Sequence, residues 1–233
     1  MPRIKRFVIE YGTYHILSRG HNKKQIFNED EDFEFYLNNI LSCKQEFQFK
    51  VYNYVMMDNH LHLIMYVPVI DELAKIMRSL NQKYAQHYRK KYGGSGYVWQ
   101  DRFKSFLIQE GRYLLECGRY VELNPVRAGI VKSPEEYKWS SYRFYALGEQ
   151  NLILSFNDEY LGLSENQNLR MKKYIEFVND GINDKRGLER YFRQGLYGSS
   201  EFMNKLKRMG LKETTWKRGR PKRKIETGLE GLL

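Results

Sequence analysis

VYNYVMMDNHLHLIMY, residues 51–66, has the pattern of a β-hairpin. Two apolar runs, 48–57 and 60–67, flank an Asp-Asn pair, and these residue types tolerate the backbone conformations of a tight turn. Side chains alternate between the two faces of a strand, so His60 and His62 are predicted to share a face.

This pair of histidines has two interpretations. Neighbouring imidazoles on a rigid strand can bind one divalent metal ion. They can equally be two ordinary polar residues at the solvated edge of a sheet. The rest of the sequence has to decide between a metal site and a strand end.

Five more segments complete the predicted core. They are a strand at 14–20, a helix at 29–47, a helix at 71–93, a strand at 102–109 and a helix at 111–124. The first six elements follow the ferredoxin-like split βαβ order, which predicts an α+β fold with an antiparallel sheet and helices on one face. The last helix is predicted to end at Asn124, because Pro125 disfavours the helical conformation of the residue before it.

The chain is predicted to contain one compact domain and two C-terminal additions. Residues 1–147 form the domain, residues 148–210 form a helical extension, and residues 211–233 form a basic, disordered tail. Polar composition and the absence of a strong apolar pattern favour disorder in the last segment.

Charge and composition narrow the function classes. The net charge is +11, and residues 203–224 hold ten Lys/Arg against one Glu. Such a concentration favours a nucleic-acid partner, although a solvated tail is the alternative.

No apolar run reaches the roughly 18–20 residues of a membrane span, so no membrane partner is expected. Cys43 and Cys117 are too few for a disulfide framework, which favours a reducing cytoplasm.

Tyr120 and Asn124 are candidates for chemistry because residues four apart share one helical face. A phenol, with a pKa of about 10, is a poor nucleophile at pH 7 unless a metal ion polarises the phosphate that it attacks. Imidazole and amide-oxygen donors with open positions suit Mg²⁺ or Mn²⁺. The alternatives are core packing for Tyr120, turn capping for Asn124, and Tyr113 as a competing nucleophile.

Five motifs resemble those of the HUH single-strand DNA transposases, in particular the REP-associated tyrosine transposases. They are YHILSRG, MMDNHLHLIMYVP, LNQKYAQHY, GYVWQDRFKS and RYVELNPVRAGIV, spread over about residues 11–145. His-x-His alone is common by chance. The pair after Asp-Asn, followed by Tyr-x-x-x-Asn-Pro-Val-Arg-Ala-Gly at this distance, is specific to the family.

The resemblance implies the HUH endonuclease fold and a mechanism. His60 and His62 match the metal ligands, Tyr120 matches the catalytic tyrosine, and Asn124 stands where related enzymes place a further ligand. The implied reaction cleaves single-stranded hairpin DNA through a 5′-phosphotyrosine link, with Mg²⁺ or Mn²⁺ and without a nucleotide cofactor. The implied substrates carry repetitive extragenic palindromes. A monomer is expected, and a dimer is the alternative.

Basic side chains near the predicted strand ends are candidates for binding DNA. Arg19, Arg102 and Lys104 could hold phosphates, and Lys83 on the second helix could extend that surface. Solvated charges at strand edges and on a helix are the alternative. His15 could face the same side of the sheet, where it would support a metal ligand or contact DNA.

The segment KRGRPKRK, residues 217–224, resembles an AT-hook. Arg218 and Arg220 would then enter a narrow A·T-rich minor groove. A generic basic tail that binds phosphates through salt-dependent contacts is the alternative.

The sequence therefore predicts a metal-dependent, single-tyrosine DNA endonuclease and strand transferase. A domesticated, non-catalytic protein that binds hairpin DNA or represses transcription is the first alternative. A replication initiator or relaxase of the wider HUH group is the second, and a hydrolase in which a metal-bound water replaces Tyr120 is the third.

Overall fold

The computed structural model of the chain describes residues 8–182 and 195–210. Within these ranges, five strands form one sheet in the order β2-β3-β1-β4-β5. The strands are β1 (Gly12–Arg19), β2 (Lys50–Met57), β3 (His60–Val67), β4 (Lys104–Ile108) and β5 (Leu196–Tyr197).

Eight α-helices accompany the sheet in the described ranges. They are α1 (Asp30–Glu46), α2 (Glu72–Tyr92), α3 (Arg112–Glu122), α4 (Asn124–Arg127), α5 (Tyr142–Ala146), α6 (Asp158–Leu161), α7 (Gln167–Asp180) and α8 (Ser200–Arg208). None of these helices combines the length and the apolar character needed to cross a bilayer.

The strand pairing confirms the predicted ferredoxin-like α+β fold. β1 lies between β3 and β4 and pairs antiparallel with both, and β2 pairs antiparallel with β3. This is the split βαβ arrangement. One strand was not predicted: β5 adds parallel to β4 and comes from the segment 148–210, which was expected to be helical.

The predicted hairpin forms with a two-residue turn. Met57 pairs with His60, so Asp58 and Asn59 alone make the connection. This register puts His60 and His62 on one face, as predicted.

Helices cover both faces of the sheet, so the prediction of helices on one face alone is wrong. Ile16 and Leu63 face one way and join a buried core with Tyr36 of α1 and Leu80 of α2. On the opposite face, Ile64 packs in a second core with residues of α3, Cys117 and Val121. Because His62 is two residues from Ile64 on β3, it points to the face that α3 covers.

The prediction that the third helix ends at Asn124 is wrong. α3 ends at Glu122, and Asn124 instead begins the short helix α4. Pro125 lies in the first turn of α4, where its missing N–H leaves no helical hydrogen bond unmade. The proline therefore starts a helix here.

A buried carboxylate ties the C-terminal part of the chain to the sheet domain. Glu122 of α3 accepts hydrogen bonds from Asn53 Nδ2 (2.9 Å), Ser141 Oγ (2.5 Å) and Tyr174 OH (2.8 Å). Burial raises the pKa of Glu122 to about 7, although these three donors favour the ionised form,. β2, the N-terminal end of α5 and α7 thus meet at one point on α3. The predicted basic tail, residues 211–233, lies outside the described residues.

A second buried carboxylate joins α1 to α2. Asp32 is fully buried and accepts hydrogen bonds from the backbone N–H of Asn28 (3.0 Å), from Tyr92 OH (2.7 Å) and from His87 Nε2 (3.0 Å). Burial alone would raise the pKa of Asp32, but these donors outweigh it and hold the pKa below its ordinary value.

We expect Asp32→Asn to lower the free energy of unfolding by about 2–4 kcal/mol. The substitution replaces one of the two buried acceptor oxygens by an NH₂ group, which cannot accept the hydrogen bonds that the carboxylate accepts. Asp30→Asn, in the same helical turn, is the matched control. Asp30 is exposed and pairs with an exposed Lys138 at 2.8 Å, so its loss should cost under about 1 kcal/mol,. Urea unfolding at pH 7 measures the free energy of unfolding of both variants. Equal losses in the two variants would contradict the stabilising role assigned to the Asp32 carboxylate.

Candidate active site

His60 and His62 lie side by side on the face of the sheet that α3 covers. Their ring centroids are 5.1 Å apart, with the rings nearly perpendicular. His60 is half-buried at the start of β3, whereas His62 is 5% exposed. Arg19 is opposite His60 in the register of β1 and β3, which puts a positive charge at the same end of the sheet.

Each of these two rings has its Nδ1 atom engaged by a neighbour. His60 Nδ1 lies 2.6 Å from Asn59 Oδ1, and His62 Nδ1 lies 2.7 Å from His15 Nε2. A carboxamide oxygen only accepts, so His60 donates from Nδ1 and its Nε2 carries the lone pair. His62 presents Nε2 in the same way when His15 accepts. Metal-binding histidines are held in this manner, with one nitrogen fixed by a hydrogen bond and the other left to coordinate.

His15 supports His62. It is 1% exposed, and its ring stacks on that of His62 with centroids 5.0 Å apart. Of the two roles expected for His15, burial excludes direct contact with DNA and leaves the support of His62.

Burial keeps these imidazoles uncharged at neutral pH. Burial lowers the pKa of His15 to about 3 and, with the nearby charge of Arg19, that of His60 to about 4. The pKa of His62 is lowered for the same reason, and further by the two neighbouring histidines. Neutral imidazoles keep the lone pair that a metal ion needs.

Tyr120 lies against the histidines. Its ring centroid is 6.2 Å from that of His62 and 6.1 Å from that of His15, in edge-on geometry. Tyr113, the competing nucleophile, instead packs edge-on against Tyr197 at 5.2 Å and accepts a hydrogen bond from Arg112. The fold thus brings Tyr120 together with the histidine pair.

The side chain of Asn124 is oriented by the end of α3. Its Nδ2 donates to the carbonyl oxygens of Tyr120 (2.8 Å) and Val121 (3.1 Å). The carboxamide oxygen is therefore the atom that Asn124 can offer to a ligand. In the described ranges, no group of three or more His, Cys, Asp or Glu side chains is arranged to hold a metal ion. The available donors are two imidazoles and this amide oxygen, which fit Mg²⁺ or Mn²⁺ with open positions.

Arg127 is a site residue that the sequence reasoning missed. Its guanidinium lies 5.1 Å from the Tyr120 ring centroid, and its Nη1 donates to the Tyr120 carbonyl oxygen at 3.1 Å. Both contacts hold a positive charge beside Tyr120. The signal was present in the motif NPVR, because Arg127 follows Tyr120 by seven residues, about two helical turns.

Two of the predicted DNA-binding residues flank the histidines. Leu17 pairs in register with His62 on one side and with Lys104 on the other, so all three share a face. Lys104 and Arg19 are both exposed there. Phosphates near the histidines would meet positive charge on two strands.

The other predicted DNA-binding residues lie elsewhere. Arg102 lines a cavity beside α2, and Lys83 is exposed on α2, which packs on the opposite face of the sheet. Arg218 and Arg220 are outside the described residues.

Residues 9–124 match the family described as Transposase IS200 like. A REP-associated tyrosine transposase of Escherichia coli is 21% identical over 143 residues, covering 61% of this chain and 83% of that protein. A Haemophilus influenzae protein, provisionally given the same description, is 27% identical over 114 residues. That match covers 42% of this chain and 61% of the relative's own length.

A solved structure of a REP-associated tyrosine transposase bound to a REP hairpin has the same fold, with a TM-score of 0.56 at 19% identity. The match covers 67% of this chain and 93% of the other. The HUH fold implied by the sequence motifs is therefore the fold of this chain.

We expect the metal-free protein to lose stability as the pH falls from about 6.5 toward 4. In that window the unfolded chain takes up protons on histidines that the folded chain keeps neutral. Each such histidine contributes up to about 1.4 kcal/mol per pH unit. His15→Phe should flatten the profile by roughly that slope, measured by urea unfolding in EDTA at pH 7.5, 6.0 and 5.0. Parallel profiles for the variant and the unmodified chain would contradict the assigned pKa shift.

Proposed function

We propose that this chain, which belongs to the IS200-like transposase family through residues 9–124, is a metal-dependent single-stranded DNA endonuclease and strand transferase. The observation that carries the proposal is the position of Tyr120, with its ring edge against His62 and its carbonyl oxygen accepting a hydrogen bond from Asn124, the first residue of α4. The Tyr120 ring lies against that of His62, and the neutral imidazoles of His62 and His60 are neighbours on this face of the sheet.

The proposed substrate is hairpin DNA with a single-stranded flank. Support comes from the REP hairpin held by the solved structure of similar fold and from the basic residues beside the histidines, Arg19 and Lys104. Such residues position a phosphate backbone without reading its sequence. A DNA substrate is consistent with the predicted cytoplasmic location.

His60, His62 and Asn124 would hold Mg²⁺ or Mn²⁺ through imidazole nitrogens and an amide oxygen. Bound there, the ion would polarise the scissile phosphate and neutralise charge that develops on its oxygens. The support for this donor set is the fixed orientation of all three side chains. Hydrogen bonds at His60 Nδ1, His62 Nδ1 and Asn124 Nδ2 orient the atoms that would bind the ion, which are the two Nε2 atoms and the Asn124 oxygen.

In the proposed reaction, the Tyr120 hydroxyl loses its proton and its oxygen attacks the phosphorus. A bond forms between that oxygen and phosphorus, and the bond from phosphorus to the 3′-oxygen breaks. The 3′-oxygen takes up a proton and leaves as a free 3′-OH, while the 5′-phosphate stays on Tyr120. Attack by another 3′-OH reverses the step and joins strands, so no nucleotide cofactor is needed. Arg127 would place a positive charge beside the Tyr120 ring during this step.

We propose that the protein acts as a monomer. Within one chain, the Tyr120 ring lies against His62, which neighbours His60, and the Tyr120 carbonyl oxygen accepts a hydrogen bond from Asn124, so the proposed site needs no residue from a second copy.

We expect Tyr120→Phe to abolish a covalent protein–DNA adduct that the unmodified chain forms with hairpin oligonucleotides and Mn²⁺. Tyr113→Phe should form the adduct normally, because Tyr113 packs against Tyr197 away from the histidines. Denaturing gel electrophoresis of end-labelled DNA measures the adduct.

Three outcomes would overturn the mechanism. Cleavage without an adduct that persists in Tyr120→Phe would indicate a metal-activated water. An adduct lost in Tyr113→Phe but retained in Tyr120→Phe would reassign the nucleophile. Tight hairpin binding without cleavage would support the non-catalytic DNA-binding alternative.

Metal binding can be tested without DNA. We expect His60→Ala to remove Mn²⁺ binding and His15→Phe to weaken it about 10–100-fold, because His15 orients a ligand that it does not replace. His21→Gln is the control, since His21 lies on the turn after β1 and outside the pair. Isothermal titration with Mn²⁺ gives the affinities. Equal binding by all four proteins would exclude the proposed metal site.

A further inference from the structure

A cavity of about 750 Å³ opens on the side of the sheet opposite the histidines, between α2 and the segment 97–103. Its volume lies within the roughly 300–1,000 Å³ usual for ligand sites. The reaction proposed above uses none of its lining residues.

The wall of the cavity combines positive charge with aromatic surface. Arg78 and Arg102 are exposed on it, with Asp101 as an opposing charge. Tyr97 is 79% exposed, and the ring of Trp99 lies deeper in the same wall. Aromatic faces beside arginines are the combination with which proteins bind unpaired nucleotides.

The floor of the cavity is rigid. Trp99 Nε1 donates to the Asn81 carbonyl oxygen at 2.8 Å, and the Asn81 carboxamide contacts Tyr36 OH and Ser18 Oγ, each at 3.2 Å. These contacts fix the depth and shape of the cavity, because the polar groups of Trp99 and Asn81 bond to partners within the protein,.

The polar groups at the rim are available to a ligand. Within residues 8–182 and 195–210, the side chains of Arg78, Gln82, Gln100 and Arg102 make no hydrogen bond or ion pair that the structure records. Guanidinium groups can hold phosphates, and carboxamides can bond both donors and acceptors on base edges.

The cavity wall starts at the end of the sheet that carries His60. Gln100 N–H donates to the carbonyl oxygen of Arg19 at 2.8 Å, and Arg19 is the residue opposite His60. Gly20 N–H, the next along the chain, donates to Asn59 at 2.8 Å. A DNA strand that passes the histidines can therefore continue past this end of β1 and β3 and enter the cavity on the other side of the sheet.

On the basis of the function proposed above, we propose that this cavity binds an unpaired nucleotide of the single-stranded flank beside the hairpin. The base stacks on Tyr97, Arg78 and Arg102 hold its phosphates, and Gln82 and Gln100 contact the base edge. A paired base cannot enter, because stacking on a side chain requires a base that has left the duplex. The cavity would thereby select single-stranded DNA next to the cleavage site.

The test uses two fluorescein-labelled hairpins that differ only in an eight-nucleotide single-stranded flank of mixed sequence. Affinities are measured by fluorescence anisotropy in EDTA, so that cleavage does not contribute. Tyr97→Ala should weaken binding of the flanked hairpin by about 5- to 150-fold and leave binding of the blunt hairpin unchanged. Tyr11→Ala is the matched control, since Tyr11 is 69% exposed but precedes β1 at the opposite end of the strand.

The cavity assignment is overturned if Tyr97→Ala weakens both hairpins equally, if it weakens neither, or if the flank adds no affinity to the unmodified chain. Adduct formation with Mn²⁺ is measured separately on the same oligonucleotides. Flank-dependent binding that requires Tyr97 without any adduct would retain the cavity and reject the proposed chemistry. If the adduct forms and the affinity gained from the flank is the same in Tyr97→Ala as in the unmodified chain, the proposed chemistry is retained and the cavity assignment is rejected.

Discussion

The register of the β2–β3 hairpin is the constraint on which the site depends. Strand side chains alternate with a period of two, so a slip by one residue would turn His60 and His62 toward α1 and α2 and remove Leu61 and Leu63 from that core,. The two-residue turn at Asp58 and Asn59 and the central position of β1 between β3 and β4 both fix this register. The same pairing of β1 with β3 brings His15 against His62.

The second requirement is the position of α3, which carries Tyr120 across the histidines. Its apolar residues pack on the sheet, and near its C-terminal end the buried carboxylate of Glu122 accepts hydrogen bonds from three separate elements. Two of those elements lie beyond residue 140. The later part of the chain therefore helps to hold the nucleophile in place, although its sequence carries no catalytic motif.

Local patterns predicted the core because they act over short distances. Alternation predicted the hairpin, helical periodicity predicted α1 and α2, and spacing placed Tyr120 with Asn124. The sequence could not show which distant groups would meet. The contact of His15 with His62 and the addition of β5 to the sheet depend on long-range packing. The error at Pro125 arose because proline both ends and begins helices, and the bend at Leu123 decides between the two.

The central claim is that Tyr120 carries the DNA after cleavage, and mass spectrometry tests it directly. Trypsin separates the two candidate tyrosines, because it cleaves after Arg119. Tyr113 is then in the peptide 113–119 and Tyr120 is in the peptide 120–127. After reaction with hairpin DNA and Mn²⁺, nuclease and trypsin digestion should leave a nucleotide attached through its 5′-phosphate to the peptide 120–127. A nucleotide on the peptide 113–119, or cleaved DNA with neither peptide modified, would contradict the claim.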